Sequence, residues 1–197
     1  MLRTRISQHL LWKGGKGEKE VVKVKVATIW LSGCSGCHMS FLDQDERLID
    51  LADKIELVYS PIVDVKEFPE GVDVTFIEGA VANHEQLELL KRARIRTKVL
   101  VSLGDCAVTG NVTALRNAIN DSANAVLQKE FIDNSTIQQQ IPNDVPKLLK
   151  YVHPLHEIVK VDYFIPGCPP SADLINYVVT ELLSGRVPNM EGLTKYG

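Results

Sequence analysis

Long hydrophobic runs are missing from this chain. No window approaches the roughly 20 apolar residues that a membrane-spanning helix needs, so the chain is not expected to span a membrane. Excess positive charge is missing too. With 22 Lys and Arg against 25 Asp and Glu, a formal net charge of -3 and a pI near 6.0, the balance does not point to nucleic acid or an anionic membrane surface as partner. A signal peptide is not apparent. Residues Met1 to Glu20 carry Arg3, Arg5, Lys13 and Lys16, but their apolar stretch, His9-Leu10-Leu11-Trp12, is too short for a signal core and no small-residue cleavage site follows. The expectation is a cytoplasmic chain with an N-terminal extension over residues 1–20.

Catalytic and nucleotide signatures are sparse as well. Gly14-Gly15-Lys16-Gly17 lacks the Gly-x-x-x-x-Gly-Lys-Ser/Thr pattern and precedes the first strand, so it reads as a flexible linker. No Ser-His-Asp set or Gly-rich dinucleotide fingerprint stands out. Cysteine is scarce, with four in 197 residues. In a reducing compartment an even number of thiols points to metal binding or catalysis before disulfides.

What is present is an alternation of strands and helices in an ordinary globular composition, 45% hydrophobic and 24% charged, enough for one sizeable core. Val22 to Leu31, Ile55 to Tyr59, Val72 to Glu78, Thr97 to Leu103 and Val161 to Ile165 read as strands. A first helix is expected to start at Ser40, as N-cap with Asp43 three residues on, and to bury Phe41, Leu42, Leu48, Ile49 and Ala52. Asp43, Asp45 and Glu46 would then favour its dipole. Asn83 with Gln86 marks a second helix running to Arg96, with Leu87, Leu90 and Ile95 on or near one side. Thr113 to Asn120 suggests a short helix. The last helix opens at Pro169-Pro170, buries Leu174, Ile175, Val178, Val179, Leu182 and Leu183, and closes at Gly185 and Pro188. The fold class is therefore α/β: a doubly wound, flavodoxin-like parallel sheet of five strands over residues 21–190. Residues 121–156 read as an irregular insertion, either a partner contact or a surface loop, and 191–197 as a tail.

All four thiols follow strand ends. Cys34 and Cys37 come after the first strand, Cys106 three residues after Leu103, and Cys168 three residues after Ile165. In open α/β sheets that edge is where ligands lie. Four thiolates converging there would make a metal or cluster site. Structural zinc usually takes two close pairs. Here one Cys-x-x-Cys pair is joined by single cysteines 69 and then 62 residues on, a better fit to a 4Fe-4S cubane. Gly33, Gly36, Gly104, Ala107 and Gly167 would let backbone N–H groups approach cluster sulfides. A zinc-stapled interaction module and an FMN-binding flavodoxin are the rival readings; the latter needs a Ser/Thr/Gly-rich phosphate loop where the cysteine pair stands.

Cys34-Ser35-Gly36-Cys37-His38-Met39-Ser40-Phe41, Glu78-Gly79, Gly104-Asp105-Cys106-Ala107 and Pro166-Gly167-Cys168-Pro169-Pro170, in this order, resemble the small subunit of cytoplasmic nickel-iron hydrogenases, nearest the bidirectional NAD-linked group. The resemblance covers about residues 22–190. It implies one proximal 4Fe-4S cluster on Cys34, Cys37, Cys106 and Cys168, and a large-subunit partner that holds the nickel-iron centre. It also implies iron-sulfur and flavin diaphorase subunits that bind FMN and NAD(P). Exported relatives carry a twin-arginine leader and a cysteine-rich C-terminal extension, neither of which is expected here. The related small subunit of respiratory complex I is the alternative, but it uses adjacent cysteines where this chain has Cys34-x-x-Cys37.

Other polar residues have two readings each. His38 either bonds the cluster or faces the large subunit, against a plain surface role. Glu78 serves proton transfer at the subunit contact, or orders a turn or helix start. Asp105 is expected to order its own turn. His153 and His156 mimic a metal pair, with a loop role preferred.

Overall fold

The computed structural model describes residues 23–196; the expected N-terminal extension lies outside them. Five parallel strands form the main sheet: β1 (Val24–Trp30), β2 (Ile55–Tyr59), β3 (Val72–Glu78), β5 (Thr97–Leu103) and β7 (Tyr163–Ile165), in the order β2-β1-β3-β5-β7. This is the doubly wound arrangement expected. Successive side chains of a strand face opposite sides, and here both sides are covered. On one face Val26, Val74, Phe76, Val99 and Val101 pack against Leu174, Ile175, Val178 and Leu182 of α6 (Ala172–Leu183). On the other Ala27, Ile29, Ile77 and Leu100 meet Leu90 and Ala93 of α3 (His84–Arg96). Burial on both sides explains why the inner strands read as continuous apolar runs.

Helix α3 begins as the sequence indicates, with the Gln86 amide donating to Asn83 Oδ1 at 2.9 Å. The Gln86 side chain in turn accepts from the Ala82 amide and Ser32 Oγ, which pins the helix start to the end of β1. Ile95, expected near the apolar side, is 83% exposed. Helix α6 is capped by Ser171, whose Oγ accepts from the Leu174 amide.

The first helical region departs from expectation. It is split into α1 (Gly36–Leu42) and α2 (Arg47–Ala52), and α1 starts four residues before Ser40. Ser40 is buried within α1 and its Oγ donates to the Pro170 carbonyl at 2.6 Å. Phe41 and Leu48 do pack on the core, but Leu42 and Ile49 are exposed and Leu51 is buried instead. Asp43 becomes the C-cap of α1, so its charge does not sit at a helix start.

Residues 121–156 are more regular than expected. Helix α5 (Ser122–Gln128) is followed by a π turn, and β6 (Leu148–His153) pairs antiparallel with the short β4 (Val81–Asn83). A 3-10 helix at Asn111–Ala118 stands where the sequence suggests a short helix. Arg116 ties these pieces together, donating to Ser122 Oγ and to the carbonyls of Lys150, Leu149 and Ala82.

Candidate functional site

The cysteine turns follow β1, β5 and β7, and Glu78 ends β3 between them. These four strands are consecutive in the sheet, so the four segments rise from one edge. Cys34 and Cys37 flank the start of α1. Cys106 lies in the short helix α4 (Asp105–Thr109), and Cys168 in the turn between β7 and α6. All four thiols are free; Cys37 is buried, Cys106 half-buried, and Cys34 and Cys168 exposed. The corner is thus closed toward the sheet and open on its outer side.

Bonds between the turns fix their mutual positions. The Asp105 amide donates to the Gly167 carbonyl at 2.9 Å and the Gly167 amide returns a bond to Asp105 Oδ1 at 2.6 Å, joining the Cys106 and Cys168 turns. Gly104 N–H donates to Ile165 O at 2.7 Å in the same seam. Asp105 therefore spans two turns, where the sequence suggested it would order only its own. Ser40 and Pro170 link α1 to the Cys168 turn. On the inner side, Glu78 Oε2 accepts from the His38 amide at 2.9 Å and pairs with His38 Nδ1 at 2.5 Å. The carboxylate thereby caps the first turn of α1, one of the two roles the sequence left open for it.

Gly104 has φ +80, and a Cβ there would run into the Cys37 sulfur. A side chain is excluded because the sulfur of the neighbouring turn occupies that space. At Gly36 the Cβ position is 3.3 Å from Cys34 Sγ and 3.9 Å from Pro169.

The two less exposed thiols feel the charge of their neighbours. Burial pushes the Cys37 thiol far up, and Glu78, Cys106, Cys34 and Cys168 each push the same way. The Cys106 thiol is raised by burial, then by Cys168, Cys34, Glu78 and Asp105. Four thiolates so placed repel one another, and a cationic iron or zinc centre would relieve that repulsion. Among the described residues, no three His, Cys, Asp or Glu side chains are grouped as a site for a single metal ion. The donor set and the absent Cβ at Gly104 fit a thiolate-held iron or zinc centre.

The remaining candidates resolve simply. His153 Nδ1 pairs with Glu157 Oε2 at 2.7 Å, and His156 packs edge-on against Phe164. No helix among the described residues is long and apolar enough to cross a membrane. The sequence did not disclose the Ser40–Pro170 bond or the sulfur-accommodating role of Gly104; both depend on partners far away in the chain.

Comparison with known proteins gives a consistent picture. Residues 34–182 match the family model described as NADH ubiquinone oxidoreductase, 20 Kd subunit. The chain is 42% identical over 170 residues to the NAD-reducing hydrogenase HoxS subunit delta of Cupriavidus necator, covering 83% of this chain and 80% of that one. It is 40% identical over 171 residues to an F420-non-reducing hydrogenase subunit of Methanothermobacter marburgensis, covering 83% of this chain but 54% of the relative, so it spans about half the length of that archaeal protein. A crystal structure of a NAD+-reducing [NiFe]-hydrogenase in the H2-reduced state superposes with TM-score 0.84 and 41% identity, over 89% of this chain and 99% of the other. A Dm. baculatum [NiFeSe]-hydrogenase chain, 16% identical with TM-score 0.57 over 88% of this chain and 69% of its own, shares the fold.

Proposed function

The chain belongs to the family of the 20 kDa subunit of NADH ubiquinone oxidoreductase, and from that premise we propose that it is the electron-transfer small subunit of an NAD-linked nickel-iron hydrogenase. Cys34, Cys37, Cys106 and Cys168 would hold one 4Fe-4S cluster. What supports this reading is that the turns bearing the four cysteines follow neighbouring strands at one sheet edge, in a chain that is 41% identical to a NAD+-reducing [NiFe]-hydrogenase chain over nearly the whole of that chain.

When bound, the cluster supplies one-electron transfer between a nickel-iron large subunit and diaphorase subunits that carry FMN and NAD. The chain's own residues do the placing. Buried Cys37 lies on the inner side, Asp105 and Gly167 keep two ligand turns in register, and the small residues around the thiols would let backbone N–H groups approach the cluster. Exposed Cys34 and Cys168 leave the outer side open to a docked subunit. The chain itself neither splits hydrogen nor binds nickel, and works in the cytoplasm.

The test is anaerobic purification with tagged chain, measuring iron, acid-labile sulfide, nickel and hydrogen-dependent NAD reduction. Four irons with sulfide per chain, plus a co-purifying nickel protein, support the proposal. One zinc per chain without sulfide overturns it.

A further inference from the structure

Glu78 lies between the cysteine turns and is only 2% exposed. A carboxylate at that depth is costly unless its oxygens receive hydrogen bonds. Both bonds given to Oε2 come from one residue, His38, which directly follows Cys37. The backbone bond anchors the first turn of α1. The side-chain bond fixes the imidazole; a carboxylate only accepts, and with Glu78 as carboxylate Nδ1 carries the hydrogen. The other ring nitrogen, Nε2, is buried and has no hydrogen-bond partner among the described residues.

At histidines that ligate metals, a carboxylate on the other ring nitrogen fixes the ring and tunes the centre; here Glu78 fixes in the same way the ring of a histidine adjacent to Cys37. The register of the sheet places it here, because Glu78 pairs with Trp30, four residues before Cys34. The same carboxylate acts on the sulfurs, pushing the thiols of Cys37 and Cys106 upward.

We propose that His38 and Glu78 form a positioning pair for the redox centre: Glu78 orients the His38 ring through Nδ1, and the pair places a fixed negative charge behind the buried side of the cysteine site that keeps the reduction potential low. The inference rests on the four-thiolate cluster reading. The sign follows from Coulomb's law. Reduction adds an electron to the centre, and a carboxylate behind it disfavours that added charge.

The test uses the full chain, purified anaerobically with its partner subunits, and an EPR-monitored redox titration of the cluster. Iron and sulfide are measured on every sample. Glu78→Gln keeps the shape and removes the charge, so its potential should shift upward at full iron content. His38→Asn retains an N–H donor near the position of Nδ1 and should titrate close to the parent, whereas His38→Ala should depart from it. An unchanged potential in fully loaded Glu78→Gln overturns the proposal. So does His38→Asn titrating like His38→Ala, an arm that decides the matter even if the Glu78 variant does not fold. A parent protein without cluster iron would instead overturn the underlying cluster reading, and this pair's role with it.

Discussion

Asp105 and Gly167 exchange two hydrogen bonds across 62 residues of sequence: the Asp105 amide donates to the Gly167 carbonyl, and the Gly167 amide donates to Asp105 Oδ1 at 2.6 Å. The two residues each stand immediately before a cysteine, so the exchange sets the distance between the Cys106 and Cys168 turns. Asp105→Ala would leave the Gly167 amide without that acceptor, at a cost of about 1–3 kcal/mol. Asp105→Asn keeps an acceptor oxygen and should lose less. Denaturant unfolding, run beside the iron content of each variant, checks both; equal stability of the alanine and parent proteins would refute the clamp.

Glycine substitutions separate strain from obstruction. Gly71 (φ +70) has open space around its Cβ position, so Gly71→Ala should carry only the backbone cost of about 1–2 kcal/mol and retain its iron. Gly104→Ala combines a glycine-only backbone conformation (φ +80, ψ 160) with a methyl group forced onto the Cys37 sulfur, and should lose iron as well as more stability than Gly71→Ala. Iron-to-protein ratios for the two variants give the comparison.

Cys106→Ser should bleach or alter the cluster's EPR signal, and hydrogen-dependent NAD reduction should fall with it. The serine hydroxyl is a poorer iron ligand than a thiolate, although it fills nearly the same space. The far-ultraviolet circular dichroism should remain that of the parent, since Cys106 is only half-buried. Normal turnover in this variant would count against the relay.

Arg116 offers a test away from the cluster. Its guanidinium serves one hydroxyl and three carbonyls, and burial lowers its pKa. Arg116→Lys supplies a point charge in place of a planar fork and should recover only part of that set. Amide hydrogen exchange in β4 and β6 should accelerate in Arg116→Ala, with little change in β3 and β5, and a loss of about 2 kcal/mol in overall stability is expected.

The parts of the fold that were legible in the sequence are those where one interaction dominates locally. β3, β5 and α3 have the bounds that the apolar runs and the Asn83 cap suggest, because strands buried on both faces and a side-chain cap leave marks within a few residues. The start of α1 was not legible. Its cap comes from Glu78, 40 residues from His38, and Ser35 adopts a left-handed φ of 66 that a pattern of apolar residues does not reveal. Leu42 and Ile49 look like core residues, yet the break between α1 and α2 turns them outward. β6 is hidden for a different reason. It lies in a two-stranded sheet with Lys150 and Tyr151 exposed, and the nearby run of Gln and Pro obscures its short alternation. At the site, the four cysteines and their common edge could be read from strand ends, while the bonds that hold their turns together join distant segments and could not.

The outermost position of β7 has a consequence for biogenesis. Cys168 follows this strand, which lies at the edge of the sheet beside β5, so the last of the four thiols to be synthesised sits after an edge strand. A nascent chain exposes Cys34, Cys37 and Cys106 before the turn bearing Cys168 has been synthesised, and domains generally complete their folding as units. If the four cysteines hold one centre, its ligand set is complete only once the turn after β7 has been made and has docked beside the turn after β5.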